Sequence, residues 1–314
     1  MLSKPVACVL AAFVGVLSIA VARWLGDSCP DLNLLPGKHV LITGASSGIG
    51  EQLAYKYAGF GARVTLVARR VGKLEAVAAR CAELGAAGVH VLQTDMGAPE
   101  AASAMPAAAI AESGGHDIDV LILNHAAFAE SLTLELESES DMQRHVVTPM
   151  RVNYEGTVRA AVAALPSLSK TAGRLVVVSS ASAKAPAYFM AGYAASKAAL
   201  HSFFDAMRAE LGVTGRGNVS VTLQVLGMIG TEQVMEEQSL HGIAMPVQEC
   251  AAAMVCAERS RTHESYIPGY IWGLVRLNVF LPGVTDWAMR TMFVMRVPEY
   301  VERIAAAASG IAAA

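Results

Sequence analysis

A tyrosine and a lysine stand four residues apart in the segment Tyr193-Ala194-Ala195-Ser196-Lys197. On a helix, residues at this spacing share one face, so the phenol and the ammonium lie side by side. A neighbouring positive charge favours the phenolate and lowers the pKa of a tyrosine from its usual value of about 10. We therefore expect Tyr193 to give or take a proton near neutral pH. The same spacing also occurs on ordinary solvated helix faces, so the rest of the chain has to support this interpretation.

A glycine-rich turn follows the first apolar run of the chain. The run at 39–42 is expected to be a buried strand, and Gly44–Gly50 leads from it into a helix that begins near Gly48. Strand, glycine turn and helix is the order found at dinucleotide sites, where the backbone approaches the pyrophosphate and the helix N-terminus faces its charge. An ordinary strand-to-helix turn is the alternative interpretation.

Two arginines, Arg69 and Arg70, end the second expected strand at 64–68. At this place NAD-binding proteins carry an acidic residue for the ribose hydroxyls, whereas basic side chains accept the 2'-phosphate of NADP. The pair therefore favours NADP over NAD. Surface arginines after a strand are also common without any such role.

The remaining chain alternates between strand and helix patterns. We expect further strands at 89–93, 117–123, 175–179 and 221–225, and helices at 73–84, 99–113, 141–165, 193–211 and 246–258. This alternation predicts an α/β fold, a Rossmann-like doubly wound parallel sheet, in one domain over residues 35–270. Ser180 falls at the carboxyl edge of the sheet, where such folds bind ligands. His125, directly after the fourth strand, is expected to be structural rather than catalytic.

Composition excludes several classes of protein. The chain has 314 residues, of which 54% are hydrophobic and 16% charged, with a net charge of -3. This content is incompatible with a disordered chain, and the absence of a basic surplus argues against a nucleic-acid partner. The cysteines are scattered and have no companion histidines at metal-ligand spacing. We therefore expect neither a metal site nor a disulfide framework.

The first 30 residues predict a membrane anchor. The run Pro5–Ala22 carries no charge, and as a helix it would cover about 27 Å, close to the roughly 30 Å hydrocarbon core of a bilayer. Ala20-Val21-Ala22 resembles a cleavage site, so a removed signal peptide is the alternative. Lys4 before the run leaves the body of an anchored protein in the lumen. The sequon Asn218-Val219-Ser220 could then be glycosylated.

The tail, residues 271–314, mixes apolar and aromatic residues with isolated arginines and ends in an alanine-rich stretch. It suits an amphipathic surface at a membrane or a dimer contact, and a packed final helix is the alternative. We expect a homodimer.

Taken together, Thr43-Gly44-x3-Gly48-x-Gly50, Asn124, Asn153, Ser180 and Tyr193-x3-Lys197 resemble, in type and order, the short-chain dehydrogenase/reductase family. The segments 121–125, 176–180, 218–220 and 225–229 and the expected anchor resemble its 11β-hydroxysteroid dehydrogenase branch. This resemblance implies that Tyr193 moves a proton and that Ser180 positions the reacting oxygen. It also implies that Lys197 holds the nicotinamide ribose and that Asn153 anchors a proton-relay water.

The resemblance also implies a set of cofactor contacts and a substrate site at Ser180 and Tyr193. The implied contacts to the cofactor are Tyr193, Lys197, Gly44, Ala45, Ser46, Ser47, Gly48, Ile49, Gly50, Arg69, Arg70, Asp95, Met96, Asn124, His125, Ala126, Ile229, Gly230, Thr231, Glu232 and Gln233. Three positions depart from the branch pattern: Ser47 replaces a lysine, Gly230 an aspartate and Ala127 a glycine. The first departure weakens the expectation of NADP slightly.

The function that we expect is NADP(H)-dependent interconversion of a steroid hydroxyl and ketone, at the endoplasmic reticulum membrane with the catalytic domain in the lumen. The segment 230–245, where the family builds its substrate pocket, does not specify which steroid. A retinoid or small-carbonyl reductase is an alternative, and so is a secreted form. A catalytically silent NADPH-binding protein is an alternative of another class, which the complete set of Asn153, Ser180, Tyr193 and Lys197 disfavours.

Overall fold

Seven parallel strands form one sheet in the computed structural model, which describes residues 35–128, 136, 138–185, 187–232 and 244–296. Along the chain the strands are β1 (His39–Thr43), β2 (Arg63–Ala68), β3 (Gly88–Gln93), β4 (Val120–Leu123), β5 (Arg174–Ser180), β6 (Ser220–Leu226) and β7 (Glu264–Ile267). Their order across the sheet is β3-β2-β1-β4-β5-β6-β7. The predicted Rossmann-like doubly wound parallel sheet is therefore confirmed.

Helices cover both faces of this sheet. Those described are α1 (Gly48–Gly59), α2 (Val71–Glu83), α3 (Pro99–Glu112), α4 (Glu139–Met142), α5 (Thr157–Thr171), α6 (Ala191–Val213), α7 (Val247–Arg259), α8 (Tyr270–Phe280) and α9 (Pro282–Arg296). Leu53 of α1, Leu74 of α2 and Met254 of α7 belong to one buried cluster. A second cluster includes Met105 of α3 and Phe204 of α6. The two clusters are the two cores of a three-layer fold.

The middle strands are buried because their sequences are almost continuously apolar. Every residue of β1 and β4 is buried, which is the pattern expected of parallel strands covered on both faces. β1 pairs with β2 on one side and with β4 on the other. The chain order reverses at this point, and the crevice beyond the carboxyl ends of β1 and β4 is the place where such sheets bind ligands.

The edge strand β7 is missing from the sequence prediction. Its sequence, Glu-Ser-Tyr-Ile, has neither an apolar run nor a clean alternation, and Ile267 is its only buried residue. The strand forms because it pairs with β6 and because Glu264 accepts hydrogen bonds from Lys184 and Tyr266 and contacts His201. Burial raises the pKa of Glu264, but these hydrogen bonds outweigh it and lower the pKa below its usual range.

The helix predicted at 141–165 contains irregularities that its sequence does not show. The helical path runs from α4 through two π-helical segments, Gln143–Val147 and Met150–Gly156, into α5. π-helical turns often occur at functional sites, and Asn153 lies in the second of them, fully buried. A Cβ on Gly156 would clash with Met96 O. The lack of a side chain therefore lets this segment approach the end of β3.

The C-terminal helices are partly packed and partly exposed. Ile271 and Val275 of α8 are buried against Val225, whereas Phe280 is 72% and Trp287 61% exposed. The amphipathic surface at a membrane or a dimer contact stays a prediction. In the described parts of the chain, no helix has the length and apolarity needed to cross a bilayer. The predicted anchor, Pro5–Ala22, lies outside the described residues.

One cysteine, Cys256, forms a disulfide bond that the sequence did not indicate. Cys81 and Cys250 are free and buried, but Cys256 of α7 is disulfide-bonded. The sequence indicated no disulfide framework, and it did not reveal the bond at Cys256, because pairing depends on tertiary proximity and the cysteines are widely separated along the chain.

Candidate functional site

Helix α6 places the Tyr193 phenol and the Lys197 ammonium beside the carboxyl half of β5. Lys197 is 2% exposed, and its Nζ donates a hydrogen bond of 2.8 Å to Val178 O. The same Nζ lies 5.7 Å from the centroid of the Tyr193 ring. An ammonium group carries three donors, so Lys197 can hold the strand carbonyl and still bind an oxygen of a ligand.

Burial dominates the acid–base properties of both groups. It raises the pKa of Tyr193 to about 12 and lowers the pKa of Lys197 to about 8, because burial disfavours the charged form of each group. The Ser180 hydroxyl lowers the pKa of Tyr193, but less than burial raises it. The prediction that Lys197 brings the pKa of Tyr193 below its usual value is therefore wrong. Tyr193 is a protonated phenol at neutral pH, and this form can donate a proton.

Ser180 ends β5 and interacts with the Tyr193 phenol. Its Oγ accepts hydrogen bonds from Ser182 N at 3.2 Å and from Ser182 Oγ at 2.9 Å. A serine hydroxyl has one proton that it can donate to a neighbouring oxygen. An oxygen atom next to Tyr193 can therefore be approached by two hydroxyl donors.

Asn153 joins three parts of the site through its side-chain amide. Its Nδ2 donates to Ala127 O at 2.9 Å and to Ser196 Oγ at 3.0 Å, and its Oδ1 accepts from Ala127 N at 2.6 Å. Ser196 Oγ in turn donates to Tyr193 O at 2.6 Å. Both amide hydrogens of Asn153 are used, so its side chain fixes the segment after β4 against α6.

Thr43 connects the ends of β1 and β4. Its Oγ1 accepts from Asn124 N at 3.0 Å and from His125 N at 3.3 Å, and the Asn124 amide donates to Thr43 O at 3.2 Å. His125 contributes to the same junction, with Nδ1 2.8 Å from Thr43 Oγ1 and Nε2 3.1 Å from Val152 O. These contacts agree with the structural role predicted for His125.

The glycine turn packs closely on this junction. Gly44 has a φ of +67°, and a Cβ there would lie 2.9 Å from His125 Cα. A Cβ on Gly50 would clash with Gly44 O. Helix α1 begins at Gly48, and the Ser47 side chain makes no capping hydrogen bond to it. The backbone N–H groups of its first turn therefore remain available to an anion.

Arg70 lies against this turn. Its guanidinium donates to Ser46 Oγ at 2.9 Å and to Ser47 Oγ at 2.8 Å. A cleft of about 370 Å³ opens beside it, and its walls come from the loops that end β1, β2, β4 and β6. The lining residues are Ser47, Gly48, Ile49, Arg70, Asn124, Thr231 and Glu232. The fold thus brings together residues that are up to 185 positions apart in the chain (47 and 232).

The other residues of the expected cofactor set surround this cleft less directly. Arg69 and Ala126 are exposed, whereas Ala45, Met96 and Ile229 are buried. The Asp95 carboxylate is exposed and accepts from Gly97 N at 2.9 Å. Gly230 N donates to Met245 O, and Gln233 lies outside the described residues. Three features fit a dinucleotide with phosphate groups. They are a glycine turn with no room for side chains, a helix N-terminus without a side-chain cap, and the guanidinium of Arg70.

Comparisons with known proteins agree with this geometry. A model of the family described as "short chain dehydrogenase" matches residues 38–241. The chain belongs to the short-chain dehydrogenase family. It is 36% identical to the Hydroxysteroid 11-beta-dehydrogenase 1-like protein of Xenopus tropicalis, over 88% of this chain and 95% of that protein. It is 38% identical to the protein of the same name from Gallus gallus, over 89% of this chain and 94% of that one.

Solved structures of this family have the same fold. A short-chain type dehydrogenase/reductase from Mycobacterium marinum matches with a TM-score of 0.67 and 26% identity, covering 78% of this chain and 99% of that one. An alcohol dehydrogenase from the archaeon Thermococcus sibiricus, complexed with 5-hydroxy-NADP, matches with a TM-score of 0.63 and 26% identity. The latter match covers 73% of this chain and 95% of the other.

Sequence reasoning missed several residues that build the site of this short-chain dehydrogenase. Ser196 lies within the Tyr-x3-Lys segment, and its i+3 spacing from Tyr193 could have suggested the hydrogen bond to Tyr193 O. Thr43 is part of the glycine motif, but its link to β4 depends on strand pairing. No sequence pattern pointed to Ser182, because its contact with Ser180 depends on the local 3₁₀ turn Ala181–Ala183.

The buried, neutral His125 should make stability depend on pH. Burial, assisted by the charge of Lys197, lowers the pKa of His125 from 6.5 to about 3. As the pH falls below 6.5 the unfolded chain therefore binds this proton first, and the stability that neutral His125 contributes is lost between pH 6.5 and about 3. In urea unfolding, His125→Gln should reduce the dependence of the unfolding free energy on pH in this window, by up to about 1.4 kcal/mol per pH unit.

Parallel pH dependences for the wild type and His125→Gln would show that His125 does not remain neutral in the folded protein. Above pH 7 the two dependences should run parallel, and this range provides the internal control.

Proposed function

We propose that this short-chain dehydrogenase interconverts a steroid hydroxyl and ketone with NADP(H) as cofactor. The observation that carries the proposal is the convergence of the Ser180 and Tyr193 hydroxyls next to the buried Lys197 ammonium. The relatives in Xenopus tropicalis and Gallus gallus are named as 11-beta-type hydroxysteroid dehydrogenase-like proteins. Those names favour a steroid over the retinoids or small ketones that other enzymes with this fold reduce.

The nicotinamide cofactor, when bound, supplies or accepts the hydride. Tyr193 donates a proton to the substrate oxygen during ketone reduction, and the phenolate that this leaves can accept the alcohol proton in the reverse, oxidative direction. Because the pKa of Tyr193 is raised to about 12, the phenol holds its proton at neutral pH until an oxygen that develops negative charge needs it. The Ser180 hydroxyl stabilises the same oxygen by hydrogen bonding.

Lys197 and Asn153 support this step through their hydrogen bonds. The Lys197 ammonium would hold ribose hydroxyls of the cofactor with the donors that Val178 O does not use. The side chain of Asn153 is already bonded to Ala127 and Ser196. Both amide hydrogens of Asn153 are used, so a relay water would be held by a carbonyl oxygen of this residue.

The Tyr193→Phe variant tests the chemistry. Removal of the phenolic proton should lower kcat about 10²-fold or more, which is the usual size of acid–base catalysis, while the affinity for NADPH should stay unchanged. Nicotinamide absorbance during turnover of a panel of steroids, retinoids and simple ketones measures the effect. Tyr270→Phe is the matched control, since Tyr270 is 53% exposed on α8.

Full activity of Tyr193→Phe would remove Tyr193 from the mechanism. Turnover of retinoids or simple ketones without any steroid would establish the alternative substrate class, and no turnover with tight NADPH binding would establish the silent binding protein.

Arg70 is the main support for NADP over NAD. Its guanidinium lies between Ser46 and Ser47 at the edge of the cleft, and no acidic residue ends β2. A guanidinium and two hydroxyls form a suitable donor set for a 2'-phosphate, and they compensate for the serine that stands at position 47 in place of a lysine. The structure from Thermococcus sibiricus was solved with an NADP derivative.

Replacement of both Arg69 and Arg70 by alanine should weaken NADPH binding about 10- to 100-fold, the usual effect of losing charge-assisted hydrogen bonds. NADH binding should change little, because NADH lacks the phosphate. Cofactor titrations followed by fluorescence measure both constants. Arg80→Ala is the control, since Arg80 is exposed on α2 and pairs with Glu83. Equal losses for the two cofactors would mean that the arginines support the fold rather than the phosphate.

We also place the catalytic domain in the lumen of the endoplasmic reticulum, attached by the segment Pro5–Ala22. Two observations support an oxidising, glycosylating compartment. Cys256 is disulfide-bonded, and disulfides persist mainly outside the cytosol. Asn218 of the sequon is exposed, and its amide donates to Ser169 O at 2.9 Å.

A homodimer is part of the same proposal. An apolar groove of about 440 Å³ runs between α5 and α6 and is lined by Val162, Leu165, Phe203 and Met207. Val162 is 48% exposed. A second copy of the chain packed on this groove would remove that apolar surface from water.

Glycosidase treatment should increase the electrophoretic mobility of the wild-type protein. Two independent variants of the sequon, Asn218→Gln and Ser220→Ala, should abolish the shift, and the protein should resist alkaline carbonate extraction. A mature N-terminus at Arg23 in the medium would establish the secreted alternative. An unglycosylated domain that is open to protease from the cytosol would contradict the lumenal location.

A further inference from the structure

Ser182 is a polar neighbour of Ser180. It lies two residues beyond the end of β5, in the 3₁₀ turn Ala181–Ala183. Both of its donors point to one atom: the backbone N is 3.2 Å and the side-chain Oγ 2.9 Å from Ser180 Oγ. Ser182 is only partly buried, so its side chain is not needed to fill the core.

Two donors on one hydroxyl oxygen determine which way its proton points. A serine oxygen has two acceptor positions and one proton, and Ser182 occupies both acceptor positions of Ser180. The Ser180 proton is then its remaining hydrogen-bonding capacity.

We propose that Ser182 is a positioning residue that keeps Ser180 as a hydrogen-bond donor to the substrate oxygen. The proposal rests on the proposed dehydrogenase function. Without the Ser182 hydroxyl, one acceptor position of Ser180 becomes free. The Tyr193 phenol can then donate its proton to Ser180, which diverts that proton from the substrate and turns the Ser180 proton away from it.

Turnover of Ser182→Ala tests this role. We expect kcat to fall about 3- to 10-fold, the effect of one hydrogen bond to a neutral group, with NADPH affinity unchanged. Ser182→Thr keeps the hydroxyl and should restore kcat. In a Ser180→Ala background the change at Ser182 should have no further effect, because it acts through Ser180. Ser202→Ala is the control, an exposed serine on α6.

Three results would overturn the proposal: wild-type kcat in Ser182→Ala, failure of Ser182→Thr to restore it, or a further loss in the Ser180→Ala background. The second result would assign the effect to packing, and the third would give Ser182 a role of its own.

A second measurement needs no turnover and so separates this proposal from the proposed function. In protein labelled with carbon-13 at tyrosine Cζ, the Tyr193 resonance is identified by its loss in Tyr193→Phe. We expect Ser182→Ala and Ser180→Ala to shift this resonance, and Ser182→Thr and Ser202→Ala to leave it in place. If no substrate is turned over, the proposed dehydrogenase function fails, and the Tyr193 resonance alone then tests the role of Ser182. An unshifted Tyr193 resonance in Ser182→Ala then overturns the role of Ser182.

Discussion

The buried ammonium of Lys197 is the charge on which the arrangement of the site depends. Removing a charge from water costs several kcal/mol unless it finds partners, and Val178 O provides one of them. Because Lys197 and Tyr193 lie on the same face of α6, the contact that holds Lys197 on β5 also determines where the phenol stands. The same charge adds to the effect of burial in lowering the pKa of His125, which keeps the neighbouring imidazole neutral.

The position of α6 is maintained by close contacts at several levels along the helix. A Cβ on Gly192 would clash with His145 O, so the first turn can lie directly on the π-helical path. Ser196 is bonded to Asn153 one turn later, and His201 Nε2 lies 2.8 Å from Ser179 Oγ further on. These polar contacts are directional, so they fix the helix at defined positions along the sheet.

Burial and hydrogen bonding act in opposite directions on the Tyr193 phenol. Burial has the larger effect and keeps the phenol protonated, while Ser180 supplies a smaller stabilisation of the phenolate. In the proposed function, ketone reduction starts from the protonated phenol. The two hydroxyls then act in sequence on one oxygen: Ser180 stabilises the charge that develops and Tyr193 neutralises it. Ser182 determines the direction in which the Ser180 proton points.

The amino-acid sequence by itself determined the fold class and the strand ends and helix face that carry the candidate site residues. Continuous apolar runs at 39–42 and 175–179 are read directly as buried parallel strands, and strand ends in such a sheet meet at one edge. The spacing of Tyr193 and Lys197 on one helix is also a local property. These features could be predicted because they depend on chain order and on the periods of helix and strand.

Tertiary structure decided the rest, because it depends on which atoms meet across the fold. Strand β7 exists through its pairing with β6 and the contacts of Glu264. The pKa of Tyr193 follows from its burial rather than from its distance in sequence to Lys197. Asn153 reaches Ala127 and Ser196 through a π-helical segment, and Ser182 turns back onto Ser180. Hydrogen bonds and desolvation are set by short distances in space, and a linear pattern does not contain those distances.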